Sequence, residues 1–141
     1  VMVSESIVEL DEHSERHHYN RIKADKFTGG TFNTDLMNDL PVKGRAEFRI
    51  LYRKKCAEID HCAIGLLSLA LRDLGTENMT VGSGEIIGRG RFRADNMEIE
   101  DEGEIISIDF IRKSIYGKEK LQTYIDSIKL FNNRKEASKD E

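Results

Sequence analysis

The chain has 141 residues, 38% hydrophobic and 34% charged, with a net charge of −4. That supplies one modest core plus a few extra elements, and no apolar run approaches the about 20 residues of a membrane span. It excludes a polycation that holds nucleic acid by bulk charge, and two cysteines, Cys56 and Cys62, are too few for a disulfide framework.

A reducing, cytoplasmic setting is therefore expected, and Val1–Leu10 lacks the basic start of a secretory signal. The charge is unevenly placed. Acidic residues gather over 98–104; basic ones gather at Arg89, Arg91 and Arg93 and again between Arg16 and Lys26.

Val3, Ile7, Val8 and Leu10 fit one loosely alternating strand within residues 1–12. Residues 13–35 read as a long irregular segment with a turn at Gly29-Gly30. Over 45–53, Ala46, Phe48, Ile50 and Tyr52 alternate with Glu47, Arg49 and Arg53, which predicts a half-buried strand. Asp60 is placed to N-cap a helix whose apolar stripe is Ala63, Leu66, Leu67, Ala70, Leu71 and Leu74, and Gly75 is placed to end it.

A glycine-rich loop then leads into a strand at about 86–94. A strand over 104–110, with Ile106, Ile108 and Phe110 on one face, follows a solvated acidic turn. Leu121, Tyr124, Ile125, Ile128 and Phe131 predict a second amphipathic helix over 116–131. The domain plan is an irregular N-terminal segment over 1–44, a core over 45–131 and a disordered polar tail over 132–141. Strand, helix, glycine loop, strand is half of a ferredoxin-like (RRM-like) α+β fold, an antiparallel sheet with helices on one face. One β-α-β unit buries too little to stand alone. Either residues 1–44 and 104–131 complete the sheet or another chain does.

The loop carries the most chemistry. Gly82, Gly84, Gly88 and Gly90 are four glycines in nine positions. Glycine lets backbone approach a ligand closely, so that N–H groups can cradle phosphate. Arg89, Arg91 and Arg93 alternate and would share one strand face, a row of charge suited to a phosphate backbone. A tight turn with a solvated basic face fits the same residues, and the pattern alone leaves both open. A P-loop is excluded because no Lys follows Gly88, and a dinucleotide fingerprint because the spacing is Gly82-x-Gly84-x-x-x-Gly88 after a helix.

The stretch GLLSLALRDLGTENMTVGSGEIIGRGRF, Gly65 to Phe92, resembles the C-terminal signature of the RAMP superfamily of CRISPR effector proteins: a leucine-rich helix ending Leu-Arg-Asp-Leu, then a Gly-rich loop. RIKADKFTGGT, Arg21 to Thr31, is similar to a segment of type III backbone subunits, and KGRAEF, Lys43 to Phe48, to the strand that follows it. The resemblance spans roughly residues 16–95. Gly82-Ser83-Gly84 stands where a Gly-Gly pair is usual, and Ala24 and Lys26 where Ile and Arg are commoner. The family's N-terminal half has no counterpart, so the chain reads as the C-terminal half of a longer subunit, in keeping with its Val-Met start.

The resemblance implies a subunit that lines up along a guide RNA and holds its backbone while base pairing reads the target RNA. Gly82, Gly84, Gly88 and Gly90 would shape the loop, and Arg89 and Arg91 would contact phosphate. Arg21–Thr31 would lie near the guide–target duplex or a neighbouring effector-complex subunit. No resident cofactor is implied unless the target is cleaved. In that case Asp25 is the candidate catalytic residue, a carboxylate suited to Mg²⁺.

Three readings follow: an RNA-binding subunit, a metal-dependent endoribonuclease, or an assembly module without RNA contact. His13, His17 and His18 fit an ordinary surface loop. Cys56, His61 and Cys62 lack the fourth ligand and spacing of a zinc module, and the acidic run lacks EF-hand spacing.

Overall fold

A computed structural model describes residues 1–11, 18–22, 25–30, 37–82 and 88–137. The chain divides into two compact units, Val1–Arg53 and Lys54–Glu141.

The described residues of the first unit form short strands: β1 (Met2–Val3), β2 (Glu9–Leu10), β3 (Tyr19–Arg21), β4 (Met37–Asp39), β5 (Gly44–Arg45) and β6 (Ile50–Leu51). All pairing is antiparallel and nested, β1 with β6, β2 with β5 and β3 with β4. Between the paired pieces the ladder continues through single bonds, Ser4 N–H to the Arg49 carbonyl (2.9 Å) and Asp11 N–H to the Lys43 carbonyl (3.2 Å). The unit is thus one folded-back ribbon.

Two expectations change here. The strand expected over 45–53 is paired as two short pieces, at Arg45 and at Ile50–Leu51; Ile50 and Tyr52 of its expected apolar face are half-buried, whereas Ala46 and Phe48 are exposed. The boundary read at 44/45 stands at Arg53/Lys54, since β4, β5 and β6 pair with β3, β2 and β1.

The second unit holds α1 (Ala57–Gly75), β7 (Thr76–Thr80), β8 (Arg91–Arg93), β9 (Asn96–Asp101), β10 (Glu104–Asp109), β11 (Ser114–Tyr116) and α2 (Lys118–Ala137). β7 pairs with β8, and β9, β10 and β11 form an antiparallel meander. The architecture is α+β, two helices with small antiparallel sheets. The acidic segment is a hairpin turn as expected. Glu102 and Gly103 both take positive φ (55° and 80°), the backbone of a type I′ turn, whose twist matches the strands it joins.

The helices form where their periodicity predicts, with three differences. Helix α1 begins at Ala57, so Asp60 lies inside its first turn. From there its carboxylate reaches back to accept the N–H groups of Lys55 and Cys56 (2.8–3.1 Å), an inverted version of capping. The buried line of α1 is Cys62, Ile64, Gly65 and Ser68, while Leu66 and Ala70 of the expected stripe are exposed. Gly65 turns the helix this way. A Cβ there would collide with the Tyr124 carbonyl, so this glycine lets the backbones of α1 and α2 touch. Helix α2 continues to Ala137, past the limit expected at 131.

The core sits between the helices and β10. Ile106 and Tyr124 are its most enclosed side chains, with Cys62, Ile64 and Leu121 around them. Alternation sends Met97, Ile99, Ile106 and Ile108 toward α2, and leaves Glu98, Glu100 and Ile105 on the other face. The Tyr124 hydroxyl donates to the buried Asp101 carboxylate, which also meets Lys54 Nζ at 2.5 Å. Lys120 bonds the Asp101 carbonyl (3.1 Å) and the Glu104 carboxylate (2.7 Å). His61 packs edge-on to the Tyr124 ring, centroids 5.3 Å apart. No described helix is long and apolar enough to cross a membrane.

Candidate nucleic-acid interface

The glycine-rich loop is closed at its base by the β7–β8 pair. Thr76 lies opposite Arg93 and Thr80 opposite Arg91, with a bulge between where Glu77 takes φ 64°. Just beyond the pair, Val81 N–H donates to the Gly90 carbonyl at 3.0 Å. Gly90 has φ +71°, and a Cβ on it would collide with the Val81 carbonyl. Only glycine fits there, by conformation and by space. Gly82 and Gly88 also have positive φ (95° and 76°) and open space where a Cβ would stand. Gly84 lies outside the described residues, as do Ser83 and residues 85–87.

The arginines leave this neck in sequence. Arg89 is half-buried between two positive-φ glycines. Arg91 and Arg93 bracket Phe92 on β8, so they share a strand face, and all three are exposed. Arg93 reaches the Glu77 carboxylate at 3.6 Å, a loose surface pair worth little. The strand expected over 86–94 is described only as β8, because the neck turns at Gly88 and Gly90. Gly82, Gly88, Arg89, Gly90 and Arg91 therefore come together in one structural feature. Their arrangement offers backbone that a ligand can approach closely, beside a cationic strand edge.

Asp25 belongs to the other unit, at the end of the ribbon beyond the β3–β4 pair. Its carboxylate accepts the Phe27 N–H (3.0 Å) and the Thr28 hydroxyl (2.8 Å), while its own N–H donates to the Gly30 carbonyl (2.9 Å). These bonds make an Asx-type turn. The Phe27 amide first, then the Thr28 hydroxyl, holds the carboxyl below its ordinary range, so it is ionised at neutral pH. Phe27 is 97% exposed there, with Lys26 beside it.

The chain matches no protein-family model, no curated protein and no solved structure.

Sequence reading passed over Phe27. Its signal is available in hindsight: an aromatic in a polar segment directly before Thr-Gly-Gly. Among the described residues, no group of three or more His, Cys, Asp or Glu is placed to hold a metal ion. Cys62 is buried in α1 while Cys56 is exposed, and His61 faces Tyr124. His13 and His17 lie outside the described residues. The cleft beside Lys54, Cys56 and His61 offers no free helix N-terminus to an anion at Lys55 and Cys56, because the Asp60 carboxylate already takes those N–H groups.

Proposed function

We propose that this chain is an RNA-binding subunit, or part of one, of a RAMP-type CRISPR RNA-guided effector complex, and that the Gly82–Arg91 neck holds the guide backbone. The observation that carries the reading is the neck closed at Gly90. Glycine-only backbone there is followed directly by Arg91 on an exposed strand face. Close-approach backbone and alternating arginine suit phosphate, which supplies affinity without reading sequence. The ribbon end adds a second element. An exposed Phe27 beside Lys26 offers a stacking surface to a base and a cation to its phosphate. The small antiparallel sheets and two helices of the second unit would be part of a ferredoxin-like fold that a partner chain completes, in a cytoplasmic ribonucleoprotein.

The test is RNA binding by the Arg89→Ala/Arg91→Ala double variant across a salt series. Each lost phosphate contact on a single strand should lower the slope of log K against log salt by about 0.7. The pair should therefore lower it by more than one and weaken binding at least tenfold. Unchanged affinity and slope would remove the neck from the interface. A chain that self-associates yet gives no RNA shift at low salt would be an assembly module instead.

A second reading, target-RNA cleavage with Mg²⁺, rests on the resemblance of the Arg21–Thr31 segment that carries Asp25, whose carboxylate would suit the ion. Asp25→Asn keeps an oxygen to accept the Phe27 N–H while removing the charge. Loss of Mg²⁺-dependent cleavage with RNA binding retained would assign the residue to catalysis. Equal cleavage by Asp25→Asn would confine it to the turn.

A further inference from the structure

Among the described residues the β11-β10-β9 sheet ends on β9, a six-residue strand in unbroken register with β10. The two-residue turn makes Asp101 and Glu104 a hydrogen-bonded pair. By alternation Ile99 and Met97 also bond to β10, whereas Asn96, Glu98 and Glu100 aim their N–H and C=O groups away from it. An edge of this length is a template for another strand. Edges that must stay empty are broken by proline, a bulge or an inward-pointing charge. No proline or bulge breaks β9, and its one inward charge, the Asp101 carboxylate at its turn end, is held by Tyr124 and Lys54; the rest of the face it turns toward α2, Met97 and Ile99, is apolar and half-buried.

The side chains say what the added strand must carry. Glu98 and Glu100 stand exposed on the other face, two residues apart, and neither has an ion-pair partner among the described residues. We propose that the β9 edge is a docking site for an extended polypeptide segment in which Lys or Arg alternates with apolar residues. Paired on β9, such a segment sets its basic residues across from Glu98 and Glu100, where opposite charges attract. Its intervening apolar residues extend the row of Met97 and Ile99. This docking is independent of the RNA reading, since it uses another sheet and another class of partner.

The experiment titrates the full chain with a fluorescein-labelled Lys-Val-Lys-Val-Lys-Val peptide, followed by anisotropy and by amide exchange. The peptide should bind with an affinity that falls as salt rises, and should protect the amides of Glu98 and Glu100. Methylating the peptide nitrogens that face the edge should abolish binding. The Glu98→Lys/Glu100→Lys variant should bind at least tenfold more weakly and take a Glu-Val-Glu-Val-Glu-Val peptide instead. Equal binding by the variant or by the N-methylated peptide would overturn the proposal, as would no binding at low salt. Self-association of the chain that the same substitutions abolish, without peptide binding, would give the edge to a second copy and overturn it too.

Discussion

Tyr124 and Asp101 show how single side chains set the behaviour of the second unit. Burial alone raises the Asp101 carboxyl, but the hydrogen bonds from Lys54 and Tyr124 outweigh it and hold the group below its ordinary range. Lys54 is correspondingly raised, first by its bond to Asp101 and then by that to Glu102. The sign for stability follows. A depressed carboxylate stabilises the fold above its unfolded pKa, about 4, and that stability is lost as pH falls through the lower folded value. Urea midpoints should therefore drop below about pH 4 in the native chain, and drop less steeply in Asp101→Asn. An unchanged acid limb in that variant would show that Asp101 is not the linked group. Tyr124→Phe removes the donor and leaves a buried acceptor short of one bond, a cost of about 1–3 kcal/mol in the same measurement.

At the scale of elements, Gly65 and Gly90 do what composition could not reveal. Gly65→Ala should gain up to about 1 kcal/mol of helix propensity. It should lose more, because the added methyl meets the Tyr124 carbonyl and the helices must part. A net loss of about 1–2 kcal/mol and a lower Tm by calorimetry are expected; a raised Tm would mean that the interface yields at no cost. The existence of α1, its end at Gly75, the acidic hairpin and β10 were legible, since each is written in local periodicity or turn chemistry. The facing of α1 was not. It is fixed by a glycine contact with a helix 59 residues later in sequence (Gly65 to Tyr124), which no local pattern encodes. The ribbon was missed for the same reason: Met2 pairs with Leu51, and its strands are two or three residues long. The neck glycines were legible as a loop, but only the structure distinguishes Gly90, which is sterically required, from Gly82, which is required by conformation alone. Helix α2 runs past its apolar stripe because Arg134–Ala137, after two asparagines, supplies Arg, Lys, Glu and Ala, good helix formers that periodicity alone ignores.

Across the whole molecule, burial and the proposed contacts are distributed differently. All side chains that are fully buried among the described residues belong to the second unit, and the ribbon is held by ladder bonds and its Asx-type turn. Local opening should therefore be easier in strands β1 to β6, whose amides should exchange well before those of α1 and β10. Both units nevertheless carry a proposed RNA contact, and the two contacts differ in kind. Stacking of a base on Phe27 would contribute about 1–3 kcal/mol and involve no counterion, whereas the neck arginines would act through counterion release. Phe27→Ala should weaken RNA binding by about fivefold or more while the salt slope stays as it was. Arg89→Ala/Arg91→Ala should lower that slope. Exchange measured with RNA present should slow the amides of 25–30 in the native chain and leave them fast in Phe27→Ala. If Phe27→Ala instead changes neither affinity nor exchange, the ribbon end does not touch RNA, and binding rests on the neck alone.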